Sequence, residues 1–433
     1  MTTGYLRDSE STLALREGKS MAKLYKINRD NLRDHNLSVV IQTLLNSTDP
    51  MSRADLAKST GLTKAAMSML VEILIKNKVI QQLSPIPDST FGRPSVPLAF
   101  YPHHWVGIGL QVNTDGYGFT VLDLAGETIY SQWVDDTMLN VVPEDIFTQL
   151  DHMLQPVENE LIALGYTICG ASIAVPGLVE NKTTLVNARN LKWKNINLQD
   201  FNVIRRLHAV AANEADLAAI AQLPGYASAD QSIRPIPNSF IYLSTDIGIS
   251  GAVVSNGTVV HGEHNFAGEI GHLSVDWNGP QCSCGRCGCL EQYAGRRALV
   301  EAAHIADGDA AVTRQSVKRL LEAWKQHDTD AEKAISRGMK AMASGLCSAI
   351  NLLDISNVIL GGFWVNFTDA VAKQLEKDIQ GIALGRDASL KVNVDLAPFA
   401  DHPALRGAAL VGLRRLVDHP MHFLSDSTSS FIR

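Results

Sequence analysis

The chain is poor in cysteine and in aromatic residues, and it has no long apolar run. Six cysteines among 433 residues exclude a disulfide-stapled scaffold, and aromatic residues make up only 6%. No uncharged apolar stretch approaches the roughly 20 residues that a membrane helix requires, so no spanning segment is expected. The opening MTTGYLRDSESTLALREGKS has no apolar core and does not read as a secretory leader. The cytoplasm, where thiols stay reduced, is therefore the expected compartment. No charge of one sign dominates either. Lys and Arg number 38 against 45 Asp and Glu, a net charge of −7. That balance excludes a wholly basic nucleic-acid coat, yet leaves room for one small DNA-binding unit. What remains is an ordinary globular composition, 45% hydrophobic with a mean hydropathy of +0.01, long enough for two or three domains.

The scarce cysteines are not scattered. Cys282, Cys284, Cys287 and Cys289 lie in one short segment, GEIGHLSVDWNGPQCSCGRCGCLE (Gly268–Glu291), with His272 just upstream. Thiolate and imidazole are zinc ligands, and Gly285 and Gly288 permit the tight turns of a small metal loop. Disulfides do not usually crowd this way in a chain otherwise short of cysteine. The chemistry alone leaves Cys₄ and Cys₃His both open. Either would close the coordination shell and make the ion structural.

Residues 1–27 read as a weakly ordered arm. Across 28–100 the pattern is helical and then strand-like. Leu37, Val40, Ile41, Leu44 and Leu45 mark one helix face. Ser52 and Asp55 form a capping-box pair for a second helix that ends near Gly61. Thr63 caps a third, whose inward stripe is Met67, Leu70, Val71 and Leu74. Two strand-like runs, Val79–Leu83 and Val96–Phe100, flank a Pro-rich loop. This is the plan of a winged helix-turn-helix, whose second helix enters the major groove by its N-terminus. Thr63, Lys64, Ala65 and Ser68 are then the candidate DNA contacts, joined by Arg53 and Arg93 in a locally basic segment. The alternative is a helical unit used for protein contacts.

From Trp105 the strands take over. Val106–Val112, Tyr117–Asp123 and Glu127–Trp133 read as consecutive strands, with short turns at 114–116 and 125–126. Helices are expected at Ile146–Leu164 and Asn213–Leu223. Further strands are expected at Thr167–Ala174, His208–Ala212, Phe240–Ser244, Gly251–Ser255, Thr258–His261, Val358–Leu360 and Leu390–Val394. The order is α/β, with two lobes and a cleft between them.

Five segments give the chain a resemblance: Gly92-Arg93-Pro94, AVPGLVE (Ala174–Glu180), NEADLAA (Asn213–Ala219), AGEIGH (Ala267–His272) and CSCGRCGCLE (Cys282–Glu291). Through them it resembles regulators of the ROK family (repressor, open reading frame, kinase), from about Asn31 to Gly412. The resemblance implies an α/β fold class: an N-terminal winged helix-turn-helix (28–100), then a two-lobed actin-like (RNase H-like) sugar-kinase-type domain (101–433) with a structural zinc loop. It implies Zn²⁺ held by His272, Cys282, Cys284 and Cys289, with Cys287 at a variable position. The implied effector residues are Gly177, Asn213, Glu214, Glu269, His272 and Glu291. The implied partners are an inverted-repeat operator, a sugar or sugar derivative, and further copies of the chain as a homodimer or homotetramer. Carboxylates, an amide and an imidazole suit vicinal hydroxyls, and a metal-bound imidazole keeps one nitrogen free for a ligand.

A sugar kinase also needs a phosphate cradle. Where the family's kinases carry Asp-x-Gly-Gly-Thr, this chain reads Gly109-Leu110-Gln111-Val112-Asn113. The second loop, 245–251, places Asp246 where phosphate would lie, an unfavourable like-charge approach. Glu214 stands at the family's catalytic-base position, and Gly361-Gly362 is only a short remnant of an adenosine contact. The expectation is a sugar-responsive transcriptional regulator, a repressor of carbohydrate genes and not an enzyme. The alternatives are an ATP-dependent sugar kinase, alone or bifunctional, and a regulator controlled by a protein partner.

Overall fold

The computed structural model describes residues 29–47, 49–85, 96–138, 140–223 and 236–424. The expected arm at 1–27 and the Gly92-Arg93-Pro94 tripeptide lie outside the described residues.

The N-terminal part contains α1 (Arg29–Leu45), β1 (Met51–Ser52), α2 (Arg53–Thr60), α3 (Lys64–Lys76), β2 (Ile80–Gln82) and β3 (Pro97–Phe100). Helix α2 starts where it does because Ser52 and Asp55 cap each other. Ser52 N–H donates to the Asp55 carboxylate at 2.9 Å, and Asp55 N–H donates to Ser52 Oγ. It stops because Gly61 adopts a left-handed φ of 73°, open to glycine at little cost. Thr63 Oγ1 accepts from Ala66 N–H at 3.2 Å and starts α3, which buries Met67, Leu70, Val71 and Leu74. The three strands pair antiparallel in the order β1-β3-β2. The short β1 was not expected; it forms because Met51 lies opposite Leu98.

The remainder comprises β4 (Trp105–Asn113), β5 (Gly116–Asp123), β6 (Thr128–Asp135), α4 (Pro143–Ala163), β7 (Thr167–Val175), β8 (Leu178–Glu180), β9 (Thr184–Ala188) and β10 (Trp193–Asn197). Next come α5 (Asn202–Arg206), β11 (Val210–Asn213), α6 (Glu214–Gln222), β12 (Phe240–Thr245), β13 (Ile249–Ser255) and β14 (Thr258–Val259). The chain then turns mostly helical: α7 (Glu291–Ala294), α8 (Arg296–Ala302), α9 (Arg314–Lys325) and α10 (Thr329–Leu353). Last are β15 (Asn357–Gly362), α11 (Asp369–Ile382), β16 (Asn393–Leu396), α12 (Pro403–Asp418) and α13 (Pro420–Leu424).

Two five-stranded sheets result, ordered β6-β5-β4-β7-β11 and β14-β13-β12-β15-β16. Their plans are the same. Three strands form an antiparallel meander, and two more run parallel to the first. Each sheet is the centre of one lobe, and the first turn of each meander faces the cleft. Helix α12 seals the first lobe, lying on β4, β5 and β7 and against α6. It can do so because a Cβ at Gly109 would fall 2.2 Å from Leu405 O, and one at Gly407 would fall 1.7 Å from Leu217 O.

Three expected strands needed adjustment. The run expected at His208–Ala212 forms β11 only from Val210 to Asn213. Of the run Thr258–His261 only Thr258–Val259 is strand; Val260 N–H still donates to Val253 O at 2.8 Å, and the chain from Val260 to Phe266 is exposed. The strand expected at Leu390–Val394 is shifted to Asn393–Leu396. Gln380 of α11 takes the Leu390 carbonyl at 3.2 Å and the Val392 N–H at 2.9 Å, so those groups are satisfied outside the ladder. The antiparallel sheet β10-β9-β8 was not expected at all.

One hydrophobic cluster crosses from the N-terminal helices into the first lobe. It includes Leu37, Ile41, Leu70 and Leu74 together with Trp105, Leu122, Leu413 and Leu416. Trp105 Nε1 donates to Asn77 O at 3.0 Å, and Met421 N–H donates to Asp34 Oδ1 at 2.8 Å.

Candidate effector cavity and metal cluster

A cavity of about 260 Å³ lies between the lobes. All six residues expected to contact an effector line it: Gly177, Asn213 and Glu214 from the first lobe, Glu269, His272 and Glu291 from the second. Local structure explains each placement. Gly177 has φ 93°, and a Cβ there would come 2.1 Å from Asn187 O, so only glycine turns the chain at this wall. Its carbonyl accepts from Asn213 Nδ2 at 2.8 Å. Asn213 Oδ1 accepts from Ala215 N–H at 2.7 Å, capping α6 and presenting Glu214 in its first turn.

Glu214 has one buried carboxyl oxygen without a protein partner. Burial, and then the nearby Asp246 charge, push its carboxyl up to about 8. Both causes favour the protonated carboxyl, which can donate one hydrogen bond. Across the cleft Glu291 Oε2 accepts from Ile249 N–H at 3.3 Å. Its approach depends on Gly248, where a Cβ would lie 2.0 Å from that oxygen. The cavity therefore offers acceptors and a carboxyl donor on facing walls, a polar arrangement suited to hydroxyl groups.

His272 belongs to two sites at once. Its Nε2 lies 3.9 Å from Glu269 Oε2 at the cavity, while Nδ1 lies 3.6 Å from Cys282 Sγ. The ligand atoms of His272, Cys282, Cys284 and Cys289 all fall within 4.8 Å of one another, and Cys284 Sγ and Cys289 Sγ are 3.5 Å apart. Zn–S bonds of about 2.3 Å put tetrahedral sulfurs about 3.8 Å apart, so this donor set fits a small tetrahedral ion. Cys287 is exposed and stands outside the cluster; its carbonyl accepts from Ser274 Oγ at 2.7 Å. The geometry thus groups three cysteines with His272, where the residue types alone had left a fourth cysteine open.

The two meander turns meet beside this cavity. Thr114 and Asp246 both line it. Arg296 of α8 reaches between the turns, donating to Asp115 Oδ1 at 3.0 Å and to Asp115 Oδ2 at 2.9 Å, with Asp246 Oδ1 at 3.6 Å. Arg314 of α9 lies 4.0 Å from the same Asp115 and 2.5 Å from Asp135. Gly109 does not open onto this space, since a Cβ there would run into α12. Gln111 is buried with an unpartnered Oε1, and Val112 is part of the first lobe's core.

In the N-terminal part, the N-cap Thr63, Lys64 and Ala65 of the first turn of α3, and Ser68 one turn on, are all exposed. Ser68 Oγ donates to Lys64 O at 2.9 Å. Arg53 is half-buried, with its guanidinium against the Gln82 amide of β2. Arg93 lies outside the described residues.

The ROK family profile matches residues 108–414, well over half of the chain. The chain belongs to the ROK family. Among curated ROK relatives, it is 26% identical to the xylose repressor of Bacillus spizizenii, over 75% of this chain and 81% of that protein. It is 26% identical to the xylose repressor of Caldicellulosiruptor bescii, over 85% and 93%. It is 21% identical to the DNA-binding transcriptional repressor Mlc of Escherichia coli, over 88% and 94%. A ROK family transcriptional regulator described as a homologue of the E. coli MLC protein superposes with a TM-score of 0.70 at 21% identity, covering 91% of this chain and 98% of that one. A ROK family glucokinase from Streptomyces griseus, in complex with glucose and AMPPNP, superposes with a TM-score of 0.58 at 23% identity, covering 71% and 98%. The chain therefore shares the two-lobed, actin-like sugar-kinase fold with these solved ROK structures. Coverage of 91% cannot be reached without residues before position 108, so the regulator shares part of the N-terminal portion of the chain as well.

Sequence reasoning had not singled out Arg189, Asn187 and Phe266 at the cavity, nor Arg296 and Arg314 beside it. Asp115 sits in a turn that the alternation of strands announces. Its partner Arg296 is separated from it by most of both lobes, and no local pattern marks it.

Proposed function

We propose that this ROK protein is a sugar-responsive transcriptional repressor. Residues 28–100 would act as a winged helix-turn-helix, and the interlobe cavity would hold the effector. The observation that carries the reading is one chain combining two features. An exposed, threonine-capped α3 presents Thr63, Lys64, Ala65 and Ser68, and a polar cavity gathers Gly177, Asn213, Glu214, Glu269, His272 and Glu291. The curated relatives are repressors by name.

In this reading Lys64 meets phosphate or a guanine edge, and Ser68 and Thr63 add hydroxyl contacts. Arg53, held against the wing strand, contributes positioning charge, and Arg93 remains a candidate contact by sequence alone. A homodimer or homotetramer would place two α3 helices on an inverted repeat. The effector is a sugar or sugar derivative whose hydroxyls bridge Glu214, Glu291 and Glu269. His272 would bind it through Nε2 while Nδ1 holds the ion. The ion is Zn²⁺ on His272, Cys282, Cys284 and Cys289, and with four protein ligands it supplies loop structure only.

The phosphate side of the cleft argues against kinase chemistry. An aspartate could not replace Gly109 without displacing α12, and Asp115, Asp246 and Arg296 fill the space between the two turns. A protonated Glu214 is also a poor resting base. Operator titrations with and without xylose, glucose and N-acetylglucosamine test the proposal. Loss of operator affinity with one sugar supports it. Unchanged affinity across the set, or robust ATP-dependent phosphorylation of a sugar, overturns it.

A further inference from the structure

The two lobes are joined by a buried ionic clamp at the mouth of the cavity. Arg296 is only 7% exposed; Nη1, Nη2 and its backbone N–H reach three elements, and its Nε has no hydrogen-bond partner among the described residues. Its fork holds both Asp115 oxygens on the β4–β5 turn of the first lobe. Nη1 also donates to Val312 O at 3.0 Å, within the second lobe. Its backbone N–H donates to Asp246 O at 3.1 Å, and its guanidinium faces Asp246 Oδ1. The β12–β13 turn is thus tied to α8 by both backbone and side chain. Arg314 supports the clamp from the outside by pairing with Asp135 at the end of β6.

Each held turn is a cavity wall. Thr114 precedes Asp115, and Asp246, Ile247 and Gly248 form the opposite lip. Separating the lobes would break both Arg296–Asp115 hydrogen bonds, while Asp246 and Val312 stay beside the guanidinium in the second lobe. Opening therefore costs a charge-assisted, bidentate pair at a site largely shielded from water. A bidentate arginine–carboxylate pair also fixes direction as well as distance.

We infer that Arg296 is a positioning residue that holds both lips of the cavity, so that the Arg296–Asp115 pair sets how often the cleft opens to admit or release an effector. Its bearing on the effector rests on the proposed role of the cavity. The clamp itself is testable without any ligand. Amide hydrogen exchange of the full-length protein reads it directly, at the Asp115, Asp136 and Asp246 N–H groups. These donate respectively to Asn113 Oδ1 (2.9 Å), Asp115 O (3.1 Å) and Gly248 O (2.9 Å).

In Asp115→Asn, exchange at these amides should rise by about tenfold or more while the sheet centres keep their protection. Arg314→Ala, at an exposed position, should give a smaller rise at the same places. Should Asp115→Asn fail to fold, Arg296→Lys keeps the charge and removes the fork, and it carries the same expectation. Wild-type exchange at the lips in a folded variant overturns the inference, as does an increase spread evenly over both lobes. In parallel, the dissociation rate of whichever of xylose, glucose or N-acetylglucosamine binds the wild type should rise about tenfold in Asp115→Asn; an unchanged rate overturns the gating role. If the wild type binds none of these sugars while the lip amides still loosen, the effector reading fails and the clamp stands.

Discussion

At the residue scale the cavity rests on side chains that do two jobs. Asn213 closes the Gly177 turn with its amide nitrogen and caps α6 with its oxygen. Glu214 gives the sharpest test of that packing. Its pKa is raised from 4.5 to about 8 by burial and by Asp246, so the folded state holds a proton that the unfolded chain releases. Stability from this group is therefore present at low pH and is lost as pH rises across that window. Glu214→Gln should match wild type below about pH 4.5 and exceed it by ~1–3 kcal/mol near pH 9, as read by denaturant unfolding across a pH series. Parallel curves for the two proteins would show that the carboxyl is solvated. Cys282→Ser removes one of four clustered ligands, so the purified protein should lose bound zinc by elemental analysis and unfold several degrees earlier. Cys287→Ser, outside the cluster, should keep both properties.

At the scale of elements, α3 and α12 are the pieces whose surfaces matter most. Lys64→Ala should weaken operator binding and reduce the slope of log affinity against log salt by about one, with sugar binding unchanged. An identical salt slope would remove Lys64 from the phosphate contacts. Gly109→Ala should cost about 1–3 kcal/mol or more in urea unfolding, because its Cβ meets the α12 backbone. Much of this level was legible in the sequence. Ser52, Asp55, Gly61 and Thr63 mark helix ends because capping is local, and alternating apolar residues mark β4, β5 and β7. The sheet β8-β9-β10 was not legible. Its strands are short and mix polar with apolar residues without a clean alternation, and they are held by distant packing such as Trp193 Nε1 donating to Val141 O at 2.9 Å. The cysteine motif pointed to a metal loop; residue chemistry left the fourth ligand open, the family resemblance implied His272 with Cys282, Cys284 and Cys289, and the fold gathers those four while Cys287 stands apart. Arg296 stayed invisible because its partners lie on two separate turns.

At the scale of the molecule, two sheets of one plan face each other across a cavity, and the N-terminal helices share a hydrophobic cluster with the first. Effector and operator should therefore oppose each other through one equilibrium. A sugar that lowers operator affinity by about 5–150-fold must itself bind more weakly, by the same factor, to the operator complex. Calorimetric titration of that sugar into free protein and into the complex measures both sides. Unequal factors would mean that the two ligands do not act on one pair of states.

The cluster joining α1, α3, Trp105 and α12 also has a consequence for engineering. A chimera made by cutting near residue 100 and grafting the N-terminal unit onto another sensor would expose the α1 surface, with Leu37 and Ile41 in its cluster, that α12 and α13 now pack against. Helix α12 is itself committed to β4, β5, β7 and α6, so it does not travel with the N-terminal unit. A working transplant has to rebuild an equivalent apolar face on the new sensor.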